Sequence, residues 1–206
     1  MDQRRRRGEL TRGALVAAAL RLVAEQGWEA TTVKDIATEA GVSPRTFFHH
    51  FDTKEDVLFE GYADRLARAS AAFRAVDPAA PLHQALEAAA LSVVDSVLAQ
   101  PELFLERAAL YRTVPALRSV MLTLNDEWTD NLAREIECRP MGPAVGPTEA
   151  HLAATLVNGA NRTALDAWSS TGGSADLRAL ERRCLDAIRP ALVHIETTAV
   201  PRRRAG

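Results

Sequence analysis

Arg45, Thr46, His49 and His50 fall within a six-residue span, and the chain's two lysines, Lys34 and Lys54, flank it. An arginine forks onto guanine, a threonine methyl meets a thymine methyl, and a histidine donates to base or phosphate oxygens. A lysine beside the unpaired backbone donors of a helix start makes a phosphate site. Together these residues point to nucleic-acid recognition. Catalysis has no comparable support. No phosphate-binding glycine loop, HExxH or GxSxG occurs, and His83, His151 and His194 are scattered without a partner pattern, so an enzyme is not expected.

The residues around this cluster supply the elements that would position it. Thr32 begins TVKDIATEAGVSPRTFFHHFDTK, with Asp35 three residues on, a capping-box variant that predicts a helix over 33–40. Ile36 and Ala40 face inward, and Ala37 is small enough for two helices to cross closely. Gly41 suits a tight turn, which Val42 plugs. Ser43 caps a second helix over 44–50 that starts on Pro44, where a missing backbone donor costs nothing. Phe47 and Phe51, four apart, form its buried stripe and leave Arg45, Thr46, His49 and His50 on the other side. Thr53 caps the next element, a helix expected from Lys54 to about Ala75. A helical hairpin with Arg45 and the histidines merely solvated has the same spacing.

Helical periodicity with Pro and Gly punctuation continues throughout, and no segment shows sustained alternation, so the fold is expected to be all-α. Ala14, Leu15, Ala18, Ala19, Leu22 and Val23 give a first helix ended by Gly27, against which Trp28 packs. Past the break at 77–81 come helices over 82–99, 102–112, 116–137 and 149–170, then a last one capped by Ser174 that Pro190 kinks or ends. The expected division is a basic flexible arm at 1–9, a helix-turn-helix domain at 10–55, a larger helical domain at 56–195 and a disordered tail at 196–206. Arg4 to Arg7 in the arm either reach DNA or are solvated.

Composition agrees with a globular protein: 206 residues, 47% hydrophobic, 25% charged, formal net charge -2. Residues up to Lys54 carry nine Lys/Arg against seven Asp/Glu, and the remainder sixteen against twenty. Phosphate contacts therefore belong to the start of the chain. Cys138 and Cys184 lack metal-ligand spacing, so neither a metal nor a disulfide is expected. No run approaches the roughly 20 apolar residues of a membrane span, and a cytoplasmic protein without membrane contact is expected.

TTVKDIATEAGVS followed by PRTFFHHFDTKEDVL resembles the N-terminal domain of TetR-family regulators over about residues 10–60. The resemblance implies a three-helix DNA-binding domain whose third helix enters the major groove, joined to a larger helical domain that dimerises and binds an inducer. It places Thr32 and Lys34 near the DNA backbone, and Ser43 and Pro44 at the start of the reading helix. Arg45 and Thr46 fall near bases, His49 and His50 near base or backbone, and Lys54 on a phosphate. Phe48 departs from the family, which commonly has a phosphate-contacting tyrosine there, and is left to pack on sugar or in the core.

By the same resemblance the last two long helices, with faces Leu152, Leu156, Ala160, Ala164, Trp168 and Leu177, Leu180, Cys184, Leu185, Ile188, form a homodimer interface suited to a palindromic operator. Intramolecular core is the competing use. Candidate pocket residues are Arg107, Tyr111, Trp128, Asn158, Asn161, Arg162 and Trp168, with the two asparagines foremost because buried amides need partners. No other cofactor is expected. The stretch over 101–128 is similar to TetR-type regulators of acyl-CoA-like ligands and implies such an inducer. The function expected is a ligand-responsive repressor. A helical adaptor that has lost DNA binding is the alternative, and Arg45, Lys54 and the intact caps argue against it.

Overall fold

The structure is a computed structural model that describes residues 3–141 and 144–199, with the side chains of Arg4 and Arg5 left aside. Among the described residues it is built of α-helices and one 3-10 turn, with no strand. They form two compact units, Met1–Tyr62 with Ala109–Val120, and Ala63–Ala108 with Met121–Gly206.

In the first unit, α1 (Gln3–Gln26) buries Leu15, Val16, Ala18, Ala19 and Val23. Ala14, expected on that face, is exposed, and Val16 takes its place in the core. Residues 3–9, expected as a flexible arm, are helical despite Gly8, the four arginines before it being good helix formers. Gly27 stops the helix at φ 84°, and Trp28 tucks into the core. Helix α2 (Val33–Glu39) starts on a complete capping box. The Asp35 amide donates to Thr32 Oγ1 at 3.2 Å, and the Thr32 amide to Asp35 Oδ2 at 3.0 Å. Gly41 makes the turn at φ 69°, and α3 (Pro44–His50) begins where the Thr46 amide donates to Ser43 Oγ at 3.1 Å.

The single helix expected from Lys54 to Ala75 is two elements. A 3-10 turn (Glu55–Phe59) follows a Thr53–Asp56 capping pair, and Gly61, at φ 80°, breaks the chain before α4 (Tyr62–Ala75). Glycine alone adopts that left-handed conformation without a Cβ penalty.

The second unit contains most of α4 and α6 (Pro101–Thr113), most of α7 (Pro115–Glu137), and all of α5 (Leu82–Leu98), α8 (Pro147–Ser170) and α9 (Leu177–Thr198). Helix α9 packs on α8 and α5. Its main core joins Leu86, Ala89 and Val93 of α5, Trp128 and Ile136 of α7, Ala153 and Val157 of α8, and Leu185 and Leu192 of α9. Alanine-rich faces let α5 and α8 approach closely. The cap of α9 is Asp176, whose carboxylate accepts the Ala179 amide at 3.1 Å. Ser174, expected in that role, instead bonds its hydroxyl to the Thr171 carbonyl. Pro190 does not end α9, which runs on to Thr198 because Leu192 and Ile195 beyond it are held in the core. The expected tail lies largely outside the described residues, while residues 196–198 belong to α9.

Candidate nucleic-acid interface and the polar core of the second unit

Phe47 is fully buried and Phe51 nearly so, their rings 5.5 Å apart, and this pair fixes the rotation of α3. Arg45, Phe48 and His49 consequently face outward, with Phe48 55% exposed and its edge against Phe47. Packing of Phe48 into the core is thereby excluded. Thr46 is half-buried, with its hydroxyl 2.9 Å from that of Ser43. His49 and His50 lie ring to ring at 5.2 Å. Burial pushes the His50 pKa below its ordinary value, the neighbouring His49 and Arg12 push the same way, and Glu60 opposes them. This environment favours the neutral imidazole of His50, which offers one donor and one acceptor. Arg12 locks this end of the reading helix to α1, lying over the Phe51 ring at 5.0 Å and pairing with Glu60.

Thr32 is occupied in its capping box, whose hydroxyl and amide hold Asp35 below the usual carboxylate range. Lys34, one residue into α2, is exposed. Lys54 is not the open phosphate group expected. Its ammonium lies 4.0 Å from the Trp28 ring centroid and donates to the carbonyls of Trp28 and Thr31, each at 3.0 Å. Two of its three donors thus close the loop that leads into Thr32 and α2. No local pattern announces this, because the carbonyls lie 23 and 26 residues away in sequence.

The seven expected pocket residues divide between the two units. Tyr111 belongs to the first unit, where its hydroxyl donates to the Leu58 carbonyl at 2.9 Å and its ring stacks on Phe59 at 4.9 Å. Arg162 is exposed. Trp128 and Trp168 are buried in apolar clusters, Trp168 against Phe104 at 5.9 Å. Arg107 is buried. The asparagines do bring polar partners together. Asn158 Nδ2 donates to Thr129 Oγ1 at 2.8 Å and to the Asn125 carbonyl at 3.1 Å. Asn161 Nδ2 donates to Glu181 Oε2 at 3.2 Å.

Glu181 was not among the expected residues, although Leu177, Glu181, Leu185, Ile188 and Leu192 form one stripe at helical spacing and so place it on the apolar face. It is fully buried, and burial raises its pKa from 4.5 to about 7, against the lowering effect of the Asn161 bond.

A capped two-helix hairpin with a basic and aromatic outer face, set on a third helix, defines a helix-turn-helix protein. Residues 15–60 match the family described as bacterial regulatory proteins, tetR family, and residues 80–193, over half the chain, match the MftR C-terminal domain. The chain belongs to the TetR family of transcriptional regulators, with a C-terminal domain of the MftR kind. The HTH-type transcriptional regulator TcmR of Streptomyces glaucescens is 35% identical over 144 residues, 66% of this chain and 63% of TcmR, so the match spans less than two thirds of that protein. The HTH-type transcriptional repressor KstR2 of Rhodococcus jostii is 45% identical over 58 residues, 27% of this chain and 28% of KstR2. NalD of Pseudomonas aeruginosa, the secondary repressor of the MexAB-OprM multidrug efflux pump, shares the fold with a TM-score of 0.62 at 19% identity, covering 88% of this chain and 96% of NalD. No single helix among the described residues is long and apolar enough to cross a membrane.

Proposed function

We propose that the protein is a homodimeric repressor that holds a palindromic operator through its two α3 helices and releases it when a small amphipathic molecule binds the second unit. The observation that carries this reading is the outer face of α3. Arg45, Phe48 and His49 are exposed together on a helix whose start, rotation and end are each fixed by a specific contact, the Ser43 cap, the buried phenylalanines and the Arg12–Glu60 clamp. A merely solvated helix has no need of such positioning. Arg45 serves as a base reader, Phe48 packs on the sugar of the DNA backbone, and Lys34 is a phosphate contact at the start of α2. Helices α8 and α9 are the proposed dimer surface through the exposed Leu152 and Val193, because Ala160, Ala164 and Trp168 of the face expected on α8, and Leu177 and Leu185 of that expected on α9, lie in the intramolecular core instead. An isologous contact there gives the two-fold symmetry that a palindrome matches.

The test is a gel-shift of the full chain against DNA fragments from upstream of its own gene, across a salt series. Specific retardation that weakens with salt supports the reading. A chain that binds specific and random DNA alike, or neither at low salt, refutes it.

A further inference from the structure

Three helices of the second unit bring polar atoms to one buried point. Asn161 of α8 reaches Glu181 of α9 and lies 3.5 Å from the Ala90 carbonyl of α5. Two apolar clusters meet there: one turn either side of Glu181 lie Leu185 in one cluster and Leu177 in the other, and one turn either side of Asn161 lie Val157 in the first and Ala164 in the second. Glu181 Oε1 is buried without a hydrogen-bond partner. A carboxylate accepts several bonds, and this one receives a single donor.

A glutamine at 181 would accept the Asn161 amide equally well and leave nothing ionisable in the core. A carboxyl, unlike glutamine, can carry a charge, and a buried charge requires a partner of opposite sign. The described residues supply none. Arg178 and Arg189 of α9 pair with Asp95 and Glu87 of α5. Arg182 and Arg183 of α9 and Arg162 and Asp166 of α8 are exposed, while Arg107 of α6 is buried. Cys184, one turn on, is a half-buried thiol raised first by burial and then by Glu181 itself. None of these acts on the Glu181 proton, which responds to burial and to Asn161 alone.

We propose that Glu181, backed by Asn161, anchors an amphipathic amine, whose ammonium donates to the free carboxylate oxygen while its apolar body parts the two clusters. The proposal rests on the reading that the second unit binds a small molecule, and it names the class. Without ligand, burial keeps Glu181 half protonated near pH 7. An arriving ammonium stabilises the carboxylate, the carboxyl proton leaves to solvent, and no other bond changes.

Octylamine, octanol and octanoate are titrated calorimetrically into the full chain and into Glu181→Gln at pH 7, in phosphate and in MOPS. Octylamine is expected to bind the unsubstituted chain at least roughly tenfold tighter than Glu181→Gln. The difference in heat between buffers is expected to report release of roughly half a proton per site. Octanol and octanoate are expected to show neither effect. Equal affinity for both chains, octanol binding as tightly as octylamine, or no binding at all overturns the proposal. So does proton uptake, the mark of a protonated Glu181 donating to a ligand carbonyl such as an acyl thioester. The unliganded chain is tested separately for operator retardation, so a failed titration with intact retardation removes the amine class and leaves the repressor reading standing.

Discussion

Replacing Glu181 by glutamine should change how stability depends on pH. Glu181 is fully buried, and its folded pKa of about 7 compares with an ordinary value of 4.5. At about 1.36 kcal/mol per tenfold change in proton affinity, the difference is worth about 3 kcal/mol. The sign follows from which state holds the proton. Between pH 4.5 and 7 the unfolded chain ionises while the folded core keeps its proton. The stability contributed by the neutral acid is therefore complete below 4.5, falls as the pH climbs towards 7, and is lost above it. Glutamine keeps an acceptor for Asn161 and does not titrate. Urea unfolding followed by circular dichroism, at fixed protein concentration from pH 5 to 8, should show the original chain losing about 2.5 kcal/mol relative to Glu181→Gln across that range. Parallel curves would refute the argument and mean that water or local opening already solvates the carboxyl.

Lys54→Ala should destabilise the first unit by about 1 to 3 kcal/mol, read as a lower melting temperature, because the Thr31 carbonyl loses its donor and the Trp28 carbonyl keeps only the Thr31 amide, before any effect on DNA is read. A variant with unchanged stability but a reduced salt slope would return Lys54 to the phosphate role. Arg45→Ala should relax preference at one base pair by about 1 to 3 kcal/mol, measured by competition with single-site operator variants, and uniform weakening would reject base reading. Phe48→Tyr should strengthen binding to all sequences alike by gel-shift if the added hydroxyl reaches a phosphate. Asp176→Ala should cost about 0.5 to 2 kcal/mol of thermal stability, and Ser174→Ala much less.

The helix-turn-helix was legible because its signals are local. Thr32 with Asp35, Gly41, and Ser43 before Pro44 each act within four residues, and no distant contact overrides them. Where distant groups decide, the sequence misled. The Thr53 cap was visible, but it opens a 3-10 turn, and Gly61 ends that segment before α4 can begin. Ser174 and Asp176 are both good caps, and the packing of Leu177 selects the nearer one. The Lys54 ammonium and the Tyr111 hydroxyl find backbone carbonyls 23 to 53 residues away, partners that no periodicity encodes. Asn161 was readable as a buried amide, whereas Glu181 was hidden by counting only the apolar members of its stripe.

The Tyr111–Leu58 bond and the stack on Phe59 bear on modularity. The DNA-reading unit is discontinuous in sequence, since Ala109–Val120, with Leu117 fully buried, completes it. A fragment cut after Tyr62 would strip the Tyr111 ring from Phe59 and its hydroxyl from the Leu58 carbonyl. Grafting this operator specificity onto another regulator's sensor therefore requires transplanting two segments, and a chimera joined at a single seam near residue 62 inherits a wound in its reading head.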